Sequence, residues 1–141
     1  MKKFHNDFGE IIIKPLYGNG GEGIFKLGEG DSNLSVIFEL FMKTSREHLI
    51  CQKYLPEVKE GDKRIILIDG DPIGAINRVP KQGEVRSNMH VGGTPEKSSI
   101  SRHDLEICNA IGPTLRDNGQ ILVGIDIIGK NLTEINLTSP T

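Results

Sequence analysis

Three groups of residues in this sequence have types and spacings that can do chemistry. The first lies near the carboxyl end, in "VGIDIIGKNLTEINLTSPT". Asp126 falls on one predicted strand, and Glu134 and Asn136 fall on the next. Residues i and i+2 share a strand face, so Glu134 and Asn136 point the same way. A three-residue turn at Gly129-Lys130-Asn131 sets Asp126 opposite Glu134. A two-residue turn instead puts Asp126 on the face of Thr133 and Ile135. Facing carboxylates repel, and a divalent cation between them removes that cost. Hard oxygen ligands without histidine suit Mg²⁺ or Mn²⁺ and leave room for phosphates. A solvated polar face is the competing reading.

The second group is basic. Arg64, Arg78 and Arg86 fall on or beside a central hairpin and the loop after it. Asp62 and Arg64 share a face at strand spacing. Guanidinium forks match carboxylate and phosphate oxygens, although a solvated strand face explains any one of them as well. Asn88 and Gly92-Gly93 could add amide donors to an anion pocket. The third group is "KPLYGNGGEG", in which Gly18, Gly20 and Gly23 satisfy G-x-G-x-x-G. A dinucleotide fingerprint needs a helix to open after the glycines. Here the short, β-rich "GIFKL" follows, and the Walker pattern is absent. What remains is a glycine hairpin between antiparallel strands, either a phosphate-wrapping loop or a plain flexible tip.

These groups need elements to hold them. "EIIIKPL", "GIFKL" and "LICQKYLP" read as short strands. Leu34, Ile37, Phe38 and Phe41 form one apolar helical stripe, with Asp31 or Ser32 as N-cap. Asp69-Gly70 divides "DKRIILIDGDPIGAINRVP" into a hairpin. Residues 80–99 are polar, without apolar period, and read as a long functional or disordered loop. Ser101 and Asp104 resemble a capping box for a helix carrying Leu105, Cys108, Ile111 and Leu115. That helix stops at Asn118-Gly119, and Pro113 should bend or tighten it. The order is α+β, with antiparallel sheets, and not a strict βαβ alternation.

Composition narrows the function classes. The chain has 141 residues, a net charge of −2 and 5% aromatics, with pI near 6.1. Neither a nucleic-acid footprint nor a base-stacking surface fits those values. No apolar run reaches the roughly 18 residues of a membrane span. The charged "KKFHNDFGE" is not a signal peptide, so a cytoplasmic location is the default. Cys51 and Cys108 sit in apolar segments and read as reduced core thiols. His5, His48, His90 and His103 lack metal-ligand spacing. No nucleophile motif is present, so catalysis should rest on positioned charges and a metal.

In order, the signals are a lysine strand, a glycine hairpin, "CQKYLP", "GDKR", an arginine loop and "D…E-x-N". This order resembles the ATP-grasp superfamily, and within it the bacterial glutathione synthetases. The matching strings are "IIIKPLYGNGG", "QKYLPEVKEGDKRIILIDGDPI", "GEVRSNMHVGG", "IGPTLRDNG" and "VGIDIIGKNLTEINLTSPT". "RSNMHVGG" also looks like the ribosomal-protein-modifying glutamate ligases. The resemblance implies an ATP-grasp fold of two lobes, residues 1–53 with the glycine loop and residues 54–141 with the metal site. It implies the ATP-binding part of the enzyme alone, shortened at its carboxyl end and without the amino-terminal substrate domain.

The resemblance also implies roles. Lys14 contacts the nucleotide, and the loop with Gly18, Gly20, Gly21 and Gly23 closes over the β- and γ-phosphates. Gln52, Lys53, Tyr54 and Leu55 form the hinge segment whose backbone reads adenine, and Asp62 faces the ribose. The family often has Asn where Lys53 stands. Arg64, Arg78 and Arg86, with Gly92 and Gly93, hold the γ-phosphate and peptide carboxylates. Arg64, Arg86 and Asn88 face the developing charge. Asp126, Glu134 and Asn136 hold Mg²⁺ or Mn²⁺. The implied substrates are γ-glutamylcysteine and glycine, joined through an acyl phosphate. The implied partner is a second copy or a chain supplying the missing domain. A non-catalytic or split-enzyme ATP-binding module, and a ligase for another acceptor, are the alternatives.

Overall fold

The computed structural model describes residues 1–17, 20–44, 47–81, 83 and 92–140. Gly18, Arg86 and Asn88 lie outside the described residues. The chain divides into two compact units, Met1–Leu55 and Pro56–Thr141.

The first unit contains helix α1 (Lys2–Phe8), strands β1 (Ile11–Pro15) and β2 (Phe25–Leu27), helix α2 (Leu34–Thr44) and strand β3 (Leu49–Lys53). Its antiparallel sheet has the order β2-β1-β3. Alternation divides the strands between two faces. Ile11 and Ile13 of β1 and Leu27 of β2 are buried with Leu34, Ile37 and Phe41 of α2. The buried residues of α2 recur at i, i+3 and i+7. Phe38, expected in that stripe, is 43% exposed. A sheet of only three strands covers a narrower stripe than the sequence suggested. Asn33 starts the helix through the Ile37 N–H to Asn33 carbonyl bond, while Asp31 accepts the Asn33 N–H at 2.9 Å.

Helix α1 has no clear signature in "KKFHNDF". Tertiary contacts hold it. Phe4 packs against the core, and the buried His5 bonds through Nε2 to the Gly28 carbonyl oxygen at 2.7 Å.

The second unit begins with a 3₁₀ turn at Pro56–Glu60. Strands β4 (Asp62–Ile68), β5 (Asp71–Val79) and β6 (Thr94–Ser98) follow, then helix α3 (Arg102–Asp117) and strands β7 (Leu122–Ile128) and β8 (Asn131–Asn136). The sheet order is β6-β5-β4-β7-β8. Asp69 and Gly70 have φ of 49° and 82°, which suits the tight turn between β4 and β5. Ile65, Leu67, Val123, Ile125 and Ile127 form the apolar core with Cys108 and Leu115 of α3. β6 lies within the stretch read as featureless loop. "TPEKS" has no apolar alternation and takes its strand form from pairing with β5. Its proline is tolerated because β6 is an edge.

The capping box forms as expected. Ser101 Oγ accepts the Asp104 N–H, and Asp104 accepts the Ser101 N–H. Pro113 does not end the helix, and Gly119 terminates it at φ 70°. Leu105, expected in the buried stripe, is 41% exposed, whereas Asp104 is buried. The helix turns Asp104 toward β4, where Lys63 Nζ lies 2.8 Å from its Oδ2.

Burial raises the Asp104 pKa, but bonds from Lys63 and Ser101 outweigh it and hold the group below its ordinary 3.8. A depressed folded-state pKa stabilises the fold above the unfolded value and loses that contribution as pH falls through the folded one. Asp104→Ala should therefore cost about 3 kcal/mol at pH 7. The difference from wild type in urea unfolding should shrink below about pH 4. A pH-independent difference would assign the cost to packing instead.

Candidate active site

The face of the second sheet opposite α3 carries charge where the other carries isoleucine. Asp62 and Arg64 alternate with Lys63 and Ile65 along β4. The register sets Asp62 opposite Arg78 on β5, and Arg64 opposite Asp126 on β7. It then sets Asp126 opposite Glu134 on β8. Arg64, Asp126 and Glu134 thus form one row across three adjacent strands.

The hairpin that completes this row follows neither sequence expectation alone. Its turn has two residues, because Ile128 pairs with Asn131. That turn by itself would place Asp126 on the face of Thr133. A register shift between Asp126 and Ile127 leaves Thr133 as the extra residue and restores Asp126 opposite Glu134. A bulge makes two residues of one strand oppose one of the other. Thr133 Oγ1 closes it with a 3.1 Å bond to the Asp126 carbonyl oxygen.

Asp126 is 2% exposed, and its oxygens are fully engaged. Oδ1 accepts from Arg64 Nε and lies 2.9 Å from Arg78 Nη2. Oδ2 accepts from Arg64 Nη2 at 2.8 Å and from Asn136 Nδ2 at 3.3 Å. A carboxylate offers about four lone-pair sites, so this one is saturated. Arg78 Nη2 also lies 2.5 Å from Asp62 Oδ2. Burial raises the Asp126 pKa, but Arg64 and Arg78 outweigh it and hold the carboxyl below its ordinary range. Burial lowers the Arg64 pKa, and Asp126, Asp62 and Glu134 more than reverse that. The guanidinium stays charged. Its Nη1 also donates to the Pro140 carbonyl oxygen at 3.0 Å. The segment after β8 therefore folds back over this face. Gly124 permits it, since a Cβ there would meet the Pro140 oxygen at 2.1 Å.

In the first unit the face opposite α2 is also polar. Ile12 pairs with Lys26 on one side and Gln52 on the other. Lys14, two residues on, shares that face and is buried. Gly20, Gly21 and Gly23 have φ of 67°, 77° and 67°, a conformation that glycine adopts without strain. Gly23 also packs where a Cβ would touch Pro15 and Phe41. β3 is an edge strand, and Lys53 is exposed there. The Tyr54 N–H is bonded to the Glu10 carbonyl oxygen at 3.0 Å.

The chain has counterparts among known proteins. The family profile of the prokaryotic glutathione synthetase ATP-grasp domain matches residues 1–141. The chain belongs to that family. A glutathione synthetase of Brucella melitensis is 59% identical over 138 residues, which is 98% of this chain and 44% of that protein. One of Agrobacterium fabrum is 55% identical over 100% of this chain and 44% of its own length. The chain thus spans less than half the length of these relatives. Among solved structures, the D-alanine–D-alanine ligase of Bacillus anthracis aligns with a TM-score of 0.70 at 12% identity, covering 99% of this chain and 47% of that one. D-cycloserine synthetase aligns at 0.69 and 15%, covering 99% and 52%. These likenesses show the ATP-grasp fold.

In this ATP-grasp chain, the second unit brings together Asp62, Arg64, Arg78, Asp126, Glu134 and Asn136. Gly92 and Gly93 directly precede β6, whose Pro95 pairs with Arg78. The first unit holds Lys14, Gly20, Gly21, Gly23, Gln52, Lys53, Tyr54 and Leu55. Sequence reasoning missed Lys26. Its signal was the alternation Phe25-Lys26-Leu27, which turns the lysine to the face of Lys14 and Gln52. No helix among the described residues is long and apolar enough to cross a membrane.

Removing the shared carboxylate should be costly. Asp126→Ala leaves two buried guanidiniums face to face and should destabilise the chain by about 4 kcal/mol in urea unfolding. A change under about 1 kcal/mol would mean the arginines are satisfied without Asp126.

Proposed function

We propose that this chain is the ATP- and Mg²⁺-binding part of a glutathione synthetase. The whole protein joins γ-glutamylcysteine to glycine. The observation that carries the reading is the Arg64–Asp126–Glu134 row with Asn136 beside it, in a chain that belongs to this family.

Phosphoryl transfer asks a protein for positioning and fixed charge rather than a nucleophile. Lys14 and the glycine hairpin, with Gly18, Gly20, Gly21 and Gly23, hold the phosphates. The backbone of Gln52–Leu55 reads the adenine edge. Since the Tyr54 amide is already bonded to Glu10, and antiparallel bonds alternate in direction, Lys53 and Leu55 present the available backbone groups. Asp62 faces the ribose. Arg64, Arg78 and Arg86 orient the γ-phosphate and the peptide carboxylate, and Asn88, Gly92 and Gly93 add donors. The γ-phosphoryl group passes to the cysteinyl carboxylate. Glycine's amine then attacks the acyl carbon, and phosphate departs as the amide forms. A closing glycine loop keeps water from the acyl phosphate. Use of ATP also supports the cytoplasmic location expected from the sequence.

The donor set of Asp126, Glu134 and Asn136 fits a hard divalent cation, because two carboxylates and an amide oxygen suit Mg²⁺ or Mn²⁺. Such an ion neutralises phosphate charge. Because Asp126 is saturated here, one partner must release it first. The Asn136 amide makes the longest of its four contacts. An Asn136 amide turned over would free one lone pair of Asp126 and offer its own oxygen to such an ion.

Calorimetry of this chain with ATP should show binding that strengthens with Mg²⁺. Glu134→Gln should reduce that Mg²⁺ enhancement about tenfold and leave the melting temperature within a few degrees. An unchanged Mg²⁺ dependence would remove Glu134 from the site. Absence of ATP binding at millimolar nucleotide would sink the nucleotide reading. For the whole protein, release of phosphate that requires both γ-glutamylcysteine and glycine identifies the acceptor pair.

A further inference from the structure

The polar face of the first unit contains a three-part contact that the roles above do not use. Lys26, on β2, reaches across β1 to the end of β3. Its Nζ stands 3.7 Å from the centre of the Tyr54 ring. The same Nζ lies 2.6 Å from Glu10 Oε1. Glu10 in turn accepts the Tyr54 N–H through its carbonyl oxygen at 3.0 Å. One lysine therefore ties all three strands of this sheet together at one end.

The physical content is specific. An ammonium over an aromatic face is drawn to the negative face of the ring, and the effect grows with desolvation. The Tyr54 ring is buried, so its side of the contact is dry. The Glu10 carboxylate fixes the ammonium from the other side. A lysine on an edge strand usually keeps its rotamer freedom. Here both engagements oppose that freedom.

We propose that Lys26 is a positioning residue for the base-binding segment Gln52–Leu55. It clamps the Tyr54 ring, which fixes the backbone on either side, where Lys53 and Leu55 offer their groups to the nucleobase. This rests on the nucleotide reading above. Lys26 acts through Tyr54 and touches no phosphate. Its contribution is therefore to recognition of the base, separate from the glycine hairpin and Lys14.

Calorimetry with MgATP and with magnesium tripolyphosphate separates these roles. Lys26→Met should weaken MgATP binding about fivefold and leave tripolyphosphate binding unchanged. Lys26→Arg should stay within about twofold of wild type, because a guanidinium also stacks on a ring and pairs with a carboxylate. Tyr54→Leu should match the loss in Lys26→Met, and the double variant should be no worse than either single one. Glu10→Gln, a milder change should Lys26→Met fail to fold, should show a smaller loss with the same dependence on the base.

Equal loss for tripolyphosphate would make Lys26 a phosphate ligand and overturn the proposal. Additive losses in the double variant, or no loss in Lys26→Met or Glu10→Gln, would overturn it as well. A wild-type chain that binds neither compound would refute the nucleotide reading itself. A wild type that binds both, with unaffected variants, would refute only the role of Lys26.

Discussion

The fork between Arg64 and Asp126 is the constraint on which the second unit's site depends. Both groups are buried on the sheet face opposite the aliphatic core. An isolated buried charge is costly, and pairing with hydrogen bonds makes burial tolerable. Arg78 joins the same carboxylate and connects it to Asp62. Asn136 occupies the last lone pair. Two guanidiniums thus face three carboxylates, counting Glu134. Those carboxylates hold the arginines charged and aligned on this face.

Both units use one device. Each sheet buries its aliphatic residues against helices and turns polar residues to the opposite face. In the first unit this separates Ile11 and Ile13 from Lys14. In the second it separates Ile65 and Leu67 from Asp62 and Arg64. The two-residue period of a strand therefore places core and chemistry in one short segment. The aliphatic layer supplies stiffness, and the charged layer is held to the pleat of a packed sheet. Gly124 extends the device by leaving room for the Pro140 carbonyl to reach Arg64.

Much of this was legible in the sequence where local rules are strong. The Asp69-Gly70 turn, the Ser101/Asp104 capping box and the Gly119 stop each rest on residues close in the chain. The resemblance carried by "YLPEVKEGDKR" and "EINLTSPT" pointed to the family that the whole-chain match shows. Other features were not legible for physical reasons. "TPEKS" becomes a strand only because β5 offers an edge. "KKFHNDF" becomes a helix only because Phe4 and His5 find tertiary partners. Phe38 and Leu105 fit helical stripes that the sheets are not shaped to cover.

The sequence by itself determined which residue types alternate along each strand, and so which carboxylates, arginines and lysines could share a face. It also determined that no histidine, cysteine or serine motif competes with them. Tertiary structure decided the register. Asp126 meets Glu134 because a bulge at Thr133 corrects a two-residue turn. Local propensity favours the turn but cannot specify the bulge, which becomes favourable only when the adjoining strands pack. Tertiary structure also decided that Lys26 lies over Tyr54, since that contact crosses an intervening strand and joins residues far apart in the chain.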